Sequence, residues 1–141
     1  MGRAHISSAT KKLVFERANR YCEYCKCPSD FSTELFSIEH IIPKSKNGPD
    51  SPDNLALACM GCNIYKSDKT TFLDTITQDF FPLFNPRIST WDDHFIWDES
   101  LTSIIGKTAI GRVTIAAIRL NCRQLKNLRR ALIAIGEHPP N

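Results

Sequence analysis

Apolar residues fall in short bursts over the first eighty or so positions and in a longer helical rhythm near the end. Leu13, Val14 and Ala18 recur at helical spacing among Lys11, Lys12, Arg17 and Arg20, which predicts a helix over residues 10–21. A cysteine-rich turn follows over 21–28. Leu35, Phe36 and Ile38 form a brief apolar run that ends at Glu39-His40, read as a strand. Residues 43–52 are rich in Pro, Gly, Asn, Asp and Ser and read as a loop. A second short strand is expected over 55–58, and a helix from Asn63 to about Ile76. Two prolines make 80–86 a connector and the best boundary, giving units 1–79 and 80–141. Beyond it, Phe95, Ile96 and Trp97 read as a strand, Asp98-Glu99-Ser100 as a turn, and 101–105 as the partner strand. Residues 108–135 read as helical. Asn121, with Gln124 three residues on, is a candidate N-cap that would divide this stretch in two. The sum is a small α+β chain without an internal repeat.

Composition narrows the picture. The chain has 141 residues, 42% of them apolar, enough for one modest core that a metal staple would help. A net charge of +3 gives little weight to a nucleic-acid partner by itself. No apolar run is long enough to span a membrane, and the first ten residues show no export-signal pattern. The expected setting is cytoplasmic, where thiols stay reduced, so six cysteines point to metal rather than disulfides.

Four of the six form two C-x-x-C pairs, Cys22 with Cys25 and Cys59 with Cys62. Each tight turn can aim two thiolates at one ion, and two such turns complete the tetrahedron that zinc prefers. A closed four-thiolate site leaves no open position for chemistry, so a structural staple is the first reading and nucleic-acid contact by the knuckle the second. The 33 residues between Cys25 and Cys59 must hold a substructure of their own. A register in which Cys27 replaces Cys25 would break the symmetry of the pairs. Cys122 reads as a buried thiol on a stripe with Ile118, Leu125, Leu132 and Ile135, if that helix is continuous.

Between the pairs stand Glu39-His40, Asn54 and Asn63. Taken singly, each has an ordinary explanation: a surface pair, a turn residue and a helix cap. Together they supply what phosphodiester hydrolysis requires. An imidazole with a reference pKa of about 6.5 can accept a proton from water at neutral pH. A divalent ion can bind the scissile phosphate and the leaving oxygen. Adjacent strand residues face opposite ways, so Glu39 and His40 converge only if the strand ends there, as Ile41-Ile42-Pro43 suggests.

At these residues the chain resembles the HNH endonuclease family, whose motif is an acidic residue and His closing one strand, an Asn before the next, and a His or Asn at the start of a helix. The likeness covers about 21–70. It implies a zinc-stapled ββα-metal core that hydrolyses DNA and leaves a 5′-phosphate and a 3′-hydroxyl. It further implies that His40 is the general base and that Glu39 and Asn63 bind a divalent ion. Asn54 would orient His40, and Cys22, Cys25, Cys59 and Cys62 would hold structural Zn²⁺. Asn63 stands where His is frequent, making an H-N-N variant. An all-oxygen ligand set favours Mg²⁺ or Mn²⁺ over softer ions. A catalytically inactive zinc-knuckle module that only binds nucleic acid is the alternative.

For DNA contact, Lys66 on the helix after Asn63 is one candidate, with plain solvation as its other reading. Arg119, Arg123, Lys126 and Arg130 recur at steps of four, three and four. On one helix they would form either a phosphate-tracking face or simply a solvated one, and a break at Asn121 would undo the alignment. DNA is the expected partner, with no membrane and no organic cofactor. Trp91 and Trp97 read as core residues in a C-terminal strand-helix extension.

Overall fold

The computed structural model describes residues 6–140, so residues 1–5 of the stretch read for an export signal lie outside it. Its first helix, α1 (Ser8–Arg17), is capped by the Ser7 hydroxyl, which accepts from the Thr10 amide at 3.1 Å. The helix ends well short of Tyr21 because Asn19 and Arg20 both take left-handed backbone angles (φ 52° and 63°) and turn the chain into the first cysteine loop. Only Val14 of this helix is fully buried.

Strands β1 (Ser37–His40) and β2 (Leu55–Ala58) pair antiparallel, with Glu39 opposite Ala56 and His40 opposite Leu55. All four β2 residues are buried, and Glu23 binds the far edge of β2 through Leu57. Helix α2 (Met60–Lys66) follows at once. It starts earlier than expected because Cys59 is its N-cap, with the sulfur accepting the Cys62 amide at 3.4 Å. It also ends far earlier: Ser67 adopts φ 50°, and the expected helical tail becomes β3 (Thr71–Leu73). This strand pairs with β4 (Phe80–Pro82), which reading from prolines alone made a connector. The Asp74 carboxylate closes the intervening turn by accepting from the Thr77 amide and hydroxyl, a local alternative to helix.

After the short helix α3 (Trp91–His94), β5 (Phe95–Trp97) pairs with β6 (Ile104–Gly106). The helical tail is two helices, α4 (Ala109–Ile118) and α5 (Arg123–Ala134). Arg119 takes a left-handed angle (φ 60°) at the break, and Cys122 is the residue that precedes α5. Asn121 does not cap. Its amide binds both backbone groups of Ile104 at 2.7 and 2.8 Å, tying the break to β6. The expected apolar stripe is therefore interrupted: Ile118 and Leu132 are buried, Cys122 is half-buried and Ile135 is exposed.

The described strands form three separate two-stranded sheets, so side chains carry the connections between them. Tyr24, Phe84, Trp91 and Phe95 make the aromatic centre, with Phe84 edge-on to Tyr24 and to Phe95. The Trp91 indole donates to the Tyr24 carbonyl at 2.9 Å. Arg112 grips Asp74 with two hydrogen bonds of 3.0 and 2.9 Å, and Arg87 pairs with Glu23. No described helix is long and apolar enough to cross a membrane.

Candidate active site and metal centre

The two cysteine turns meet. The sulfurs of Cys22, Cys25, Cys59 and Cys62 all lie within 4.8 Å of one another and are buried. A tetrahedral zinc ion with sulfurs at about 2.3 Å requires them about 3.8 Å apart, and the Cys25 and Cys59 sulfurs are 3.7 Å apart. The donor set fits zinc. Electrostatics agree: Cys22 pushes the Cys25 thiol up, but Cys27, Cys59 and Cys62 together draw it down to about 6. The Cys62 thiol is pushed well up, first by Cys22 and Cys25. One thiolate forms readily at Cys25, Cys62 then resists ionising, and a dication would remove that resistance. Cys27 is buried beside the cluster but outside the four.

Glu39 and His40 close β1 and face opposite sides. His40 Nε2 lies 2.8 Å from Asp50 Oδ1, and Lys44 Nζ reaches the same oxygen at 3.1 Å. A carboxylate only accepts, so Nε2 carries the proton and Nδ1 the lone pair. Asn54 does not touch the ring. Its Oδ1 accepts the Ile42 amide at 2.9 Å, and its Nδ2 donates to the carbonyls of Ile42 and Pro49 at 3.0 and 2.9 Å. It locks both ends of the loop that delivers Asp50. Gly48 lets this loop close, since a Cβ there would sit 1.6 Å from the Ile42 carbonyl oxygen.

Glu39 turns inward and is 4% exposed. Its Oε1 is 2.6 Å from Lys66 Nζ, and its Oε2 accepts from the Tyr24 hydroxyl at 2.8 Å. Burial raises its pKa, and Lys66 and then Tyr24 pull it back. Lys66, expected as a phosphate contact or a solvated side chain, is 1% exposed and also donates to the carbonyls of His40 and Ile41 at 3.2 and 2.9 Å. A dication about 4 Å from that ammonium would meet a repulsion on the order of 8 kcal/mol at an effective dielectric of about 20. As arranged, then, the Glu39 set does not fit a divalent ion. Asn63 lies elsewhere on the rim, in an open cleft with Lys11, Phe15, Leu35, Phe36, Ser37 and Ile38 beside the start of β1.

The basic face is redistributed. Arg123 and Arg130 are exposed on α5 and Lys126 is half-buried there, whereas Arg119 precedes the helix and stacks over Tyr65 of α2 at 4.5 Å. Arg129 between them is buried, bonding to the Thr102 and Leu120 carbonyls at 2.8 and 2.7 Å. Sequence reasoning missed Asp50 and Tyr24. Asp50 ends a Gly-Pro-Asp turn that looks like any surface turn, and Tyr24 sits inside the first cysteine pair with nothing to show that its hydroxyl reaches β1.

Residues 22–69 match a family model described as HNH endonuclease. With the β1–β2–α2 order and the four-cysteine cluster, this segment is an HNH-type ββα domain, and the match supports a nuclease-family function. Comparisons with curated proteins and with solved structures find no match.

Proposed function

We propose that this chain is a divalent-metal-dependent endonuclease that hydrolyses DNA phosphodiester bonds, with His40 as the general base. The supporting observation is the His40–Asp50 pair at the end of β1 within the HNH segment. Asp50 holds the imidazole by Nε2 and leaves Nδ1 to accept the proton of an attacking water. Asp50 also stabilises the imidazolium that results. Asn54 acts one step back, by fixing the Asp50 loop. In-line attack at phosphorus expels the 3′-oxygen and leaves a 5′-phosphate. Glu39 and Asn63, the ion ligands that the family resemblance implies, are not brought together in this arrangement, and no step is assigned to an ion held by them. Arg119, which stacks over Tyr65 of α2, and Arg123, Lys126 and Arg130 on α5 are proposed phosphate contacts. A cytoplasmic setting belongs to the same proposal, supported by four thiols gathered for metal.

The test is plasmid nicking with Mg²⁺ or Mn²⁺, with and without EDTA. Wild type nicks and EDTA stops it; His40→Ala loses about 100-fold or more in rate with an unchanged circular dichroism spectrum. Undiminished nicking by that variant removes His40 from the reaction. One observation favours a second reading, a binding module without catalysis: both Glu39 oxygens are already engaged. Retention on DNA without nicking under any divalent ion would establish that reading instead.

A further inference from the structure

Arg129 is a buried cation with no carboxylate to balance it. It is 3% exposed, and among the described residues no carboxylate lies within ion-pair distance of it. Lys66, the other cation buried to that degree, has Glu39 at 2.6 Å. The hydrogen-bond partners of the guanidinium are all neutral: the Thr102 and Leu120 carbonyls at 2.8 and 2.7 Å, Asn121 Oδ1 at 3.4 Å and the Cys25 carbonyl at 3.5 Å. Its Cζ lies over the Trp97 ring, 5.1 Å from the centroid. Neutral acceptors satisfy its protons without cancelling its charge, and a charge taken out of water is costly unless it is paired. Helix α5, which carries Arg129, has no acidic residue. Thiolates are the anions at hand. Burial pulls the Arg129 pKa down, and Cys25 and then Cys62 lead the groups that hold it up, followed by Cys122 and Cys27.

We infer that Arg129 is the counter-ion of the four-cysteine zinc site. A dication held by four thiolates leaves two negative charges in a cluster that is itself buried. Each buried charge lowers the cost of burying the other. All four ligands lie between residues 22 and 62, so the first half of the chain makes the anion and α5 brings the cation. By linkage, bound zinc favours the docking of α5 as much as docked α5 favours zinc. The contact with the Cys25 carbonyl places the guanidinium on the first cysteine turn. The inference does not rest on the nuclease reading.

The experiment measures metal binding and not cleavage. The Zn²⁺ affinity of the full chain is found by competition with a chromophoric chelator, for wild type, Arg129→Gln and Arg129→Lys. Glutamine keeps hydrogen-bond donors and drops the charge, whereas lysine keeps the charge and drops the planar fork. Arg129→Gln should bind Zn²⁺ about tenfold or more weakly, and Arg129→Lys should stay within about threefold of wild type. Co²⁺ in place of Zn²⁺ gives a readout that lost packing alone does not move. Without the nearby positive charge the thiolates give up electrons more readily. The sulfur-to-cobalt charge-transfer band of Arg129→Gln should therefore shift to longer wavelength, and that of Arg129→Lys should not. The inference is overturned if Arg129→Gln binds Zn²⁺ as tightly as wild type, if Arg129→Lys loses as much affinity as Arg129→Gln, or if the cobalt band of Arg129→Gln is unmoved. Should Arg129→Gln fail to fold, Arg129→Lys decides alone: affinity within about threefold of wild type supports the inference, and a greater loss removes it. A chain that never nicks DNA sinks the nuclease reading and leaves this result untouched.

Discussion

His40 is held by a chain of contacts that runs through backbone as much as through side chains. Asp50 fixes its ring, and Asn54 fixes the loop bearing Asp50 by filling three backbone hydrogen bonds. Asn54→Ala leaves those groups without their partner and should cost about 2–3 kcal/mol, read as a lower urea midpoint, with nicking falling more than the loss of folded protein explains. Asp50→Asn should keep the fold and slow nicking, because an amide stabilises the imidazolium less well than a carboxylate; equal rates would separate Asp50 from the chemistry. The polar residues of the motif were legible in the sequence because their spacing between two cysteine pairs is unusual as a set. The Glu39–Lys66 pair was not. Residues 39 and 66 come together only when α2 lies across β1, and neither carries a local sign of burial.

Among elements, the cysteine turns and the β1–β2 hairpin were read nearly to the residue. Their signals are local: C-x-x-C spacing, a loop rich in Pro, Gly, Asn, Asp and Ser, and short apolar runs. Helix lengths were misjudged wherever a left-handed residue intervened, at Asn19, Ser67 and Arg119, since non-glycine residues in that conformation leave no compositional trace. Close approach of α4 to the β5–β6 hairpin needs two glycines. A Cβ on Gly106 would lie 2.6 Å from the Arg112 nitrogen, and one on Gly111 2.2 Å from the His94 carbonyl oxygen. Gly111→Ala should therefore destabilise by about 1–3 kcal/mol, visible as a lower melting temperature, whereas Gly61→Ala, with open space around it, should not. The Arg112 hydrogen bonds, opposed by burial and aided by Thr77, hold the Asp74 carboxyl well below the usual carboxylate range. A depressed folded-state value means the contribution is complete above the unfolded value of about 3.9 and fades as pH falls through the folded one. Asp74→Asn should thus lower the urea midpoint at pH 7, and the gap to wild type should narrow steadily below about pH 4.

On the scale of the molecule, three ties from the later half of the chain end on the first cysteine loop: Trp91 on the Tyr24 carbonyl, Arg87 on Glu23, and Arg129 on the Cys25 carbonyl at 3.5 Å. The same loop supplies two of the four sulfurs and the phenol on Glu39. Losing metal there should loosen both halves at once. Chelation, or Cys59→Ser, should collapse amide-exchange protection in α5 and in β1 with one time course; loss confined to 22–62 would show the halves to be independent. The position of that hub also bears on synthesis. Its partners lie between 64 and 104 residues further on, so a nascent chain that has exposed all four thiols still lacks the aromatic and guanidinium groups that lock the loop. Until those groups leave the ribosome, the loop is held by the edge of β2 through Glu23 and by whatever ion the thiols capture. Early metal capture would then organise the emerging polypeptide, and the C-terminal helices would seal a fold already begun.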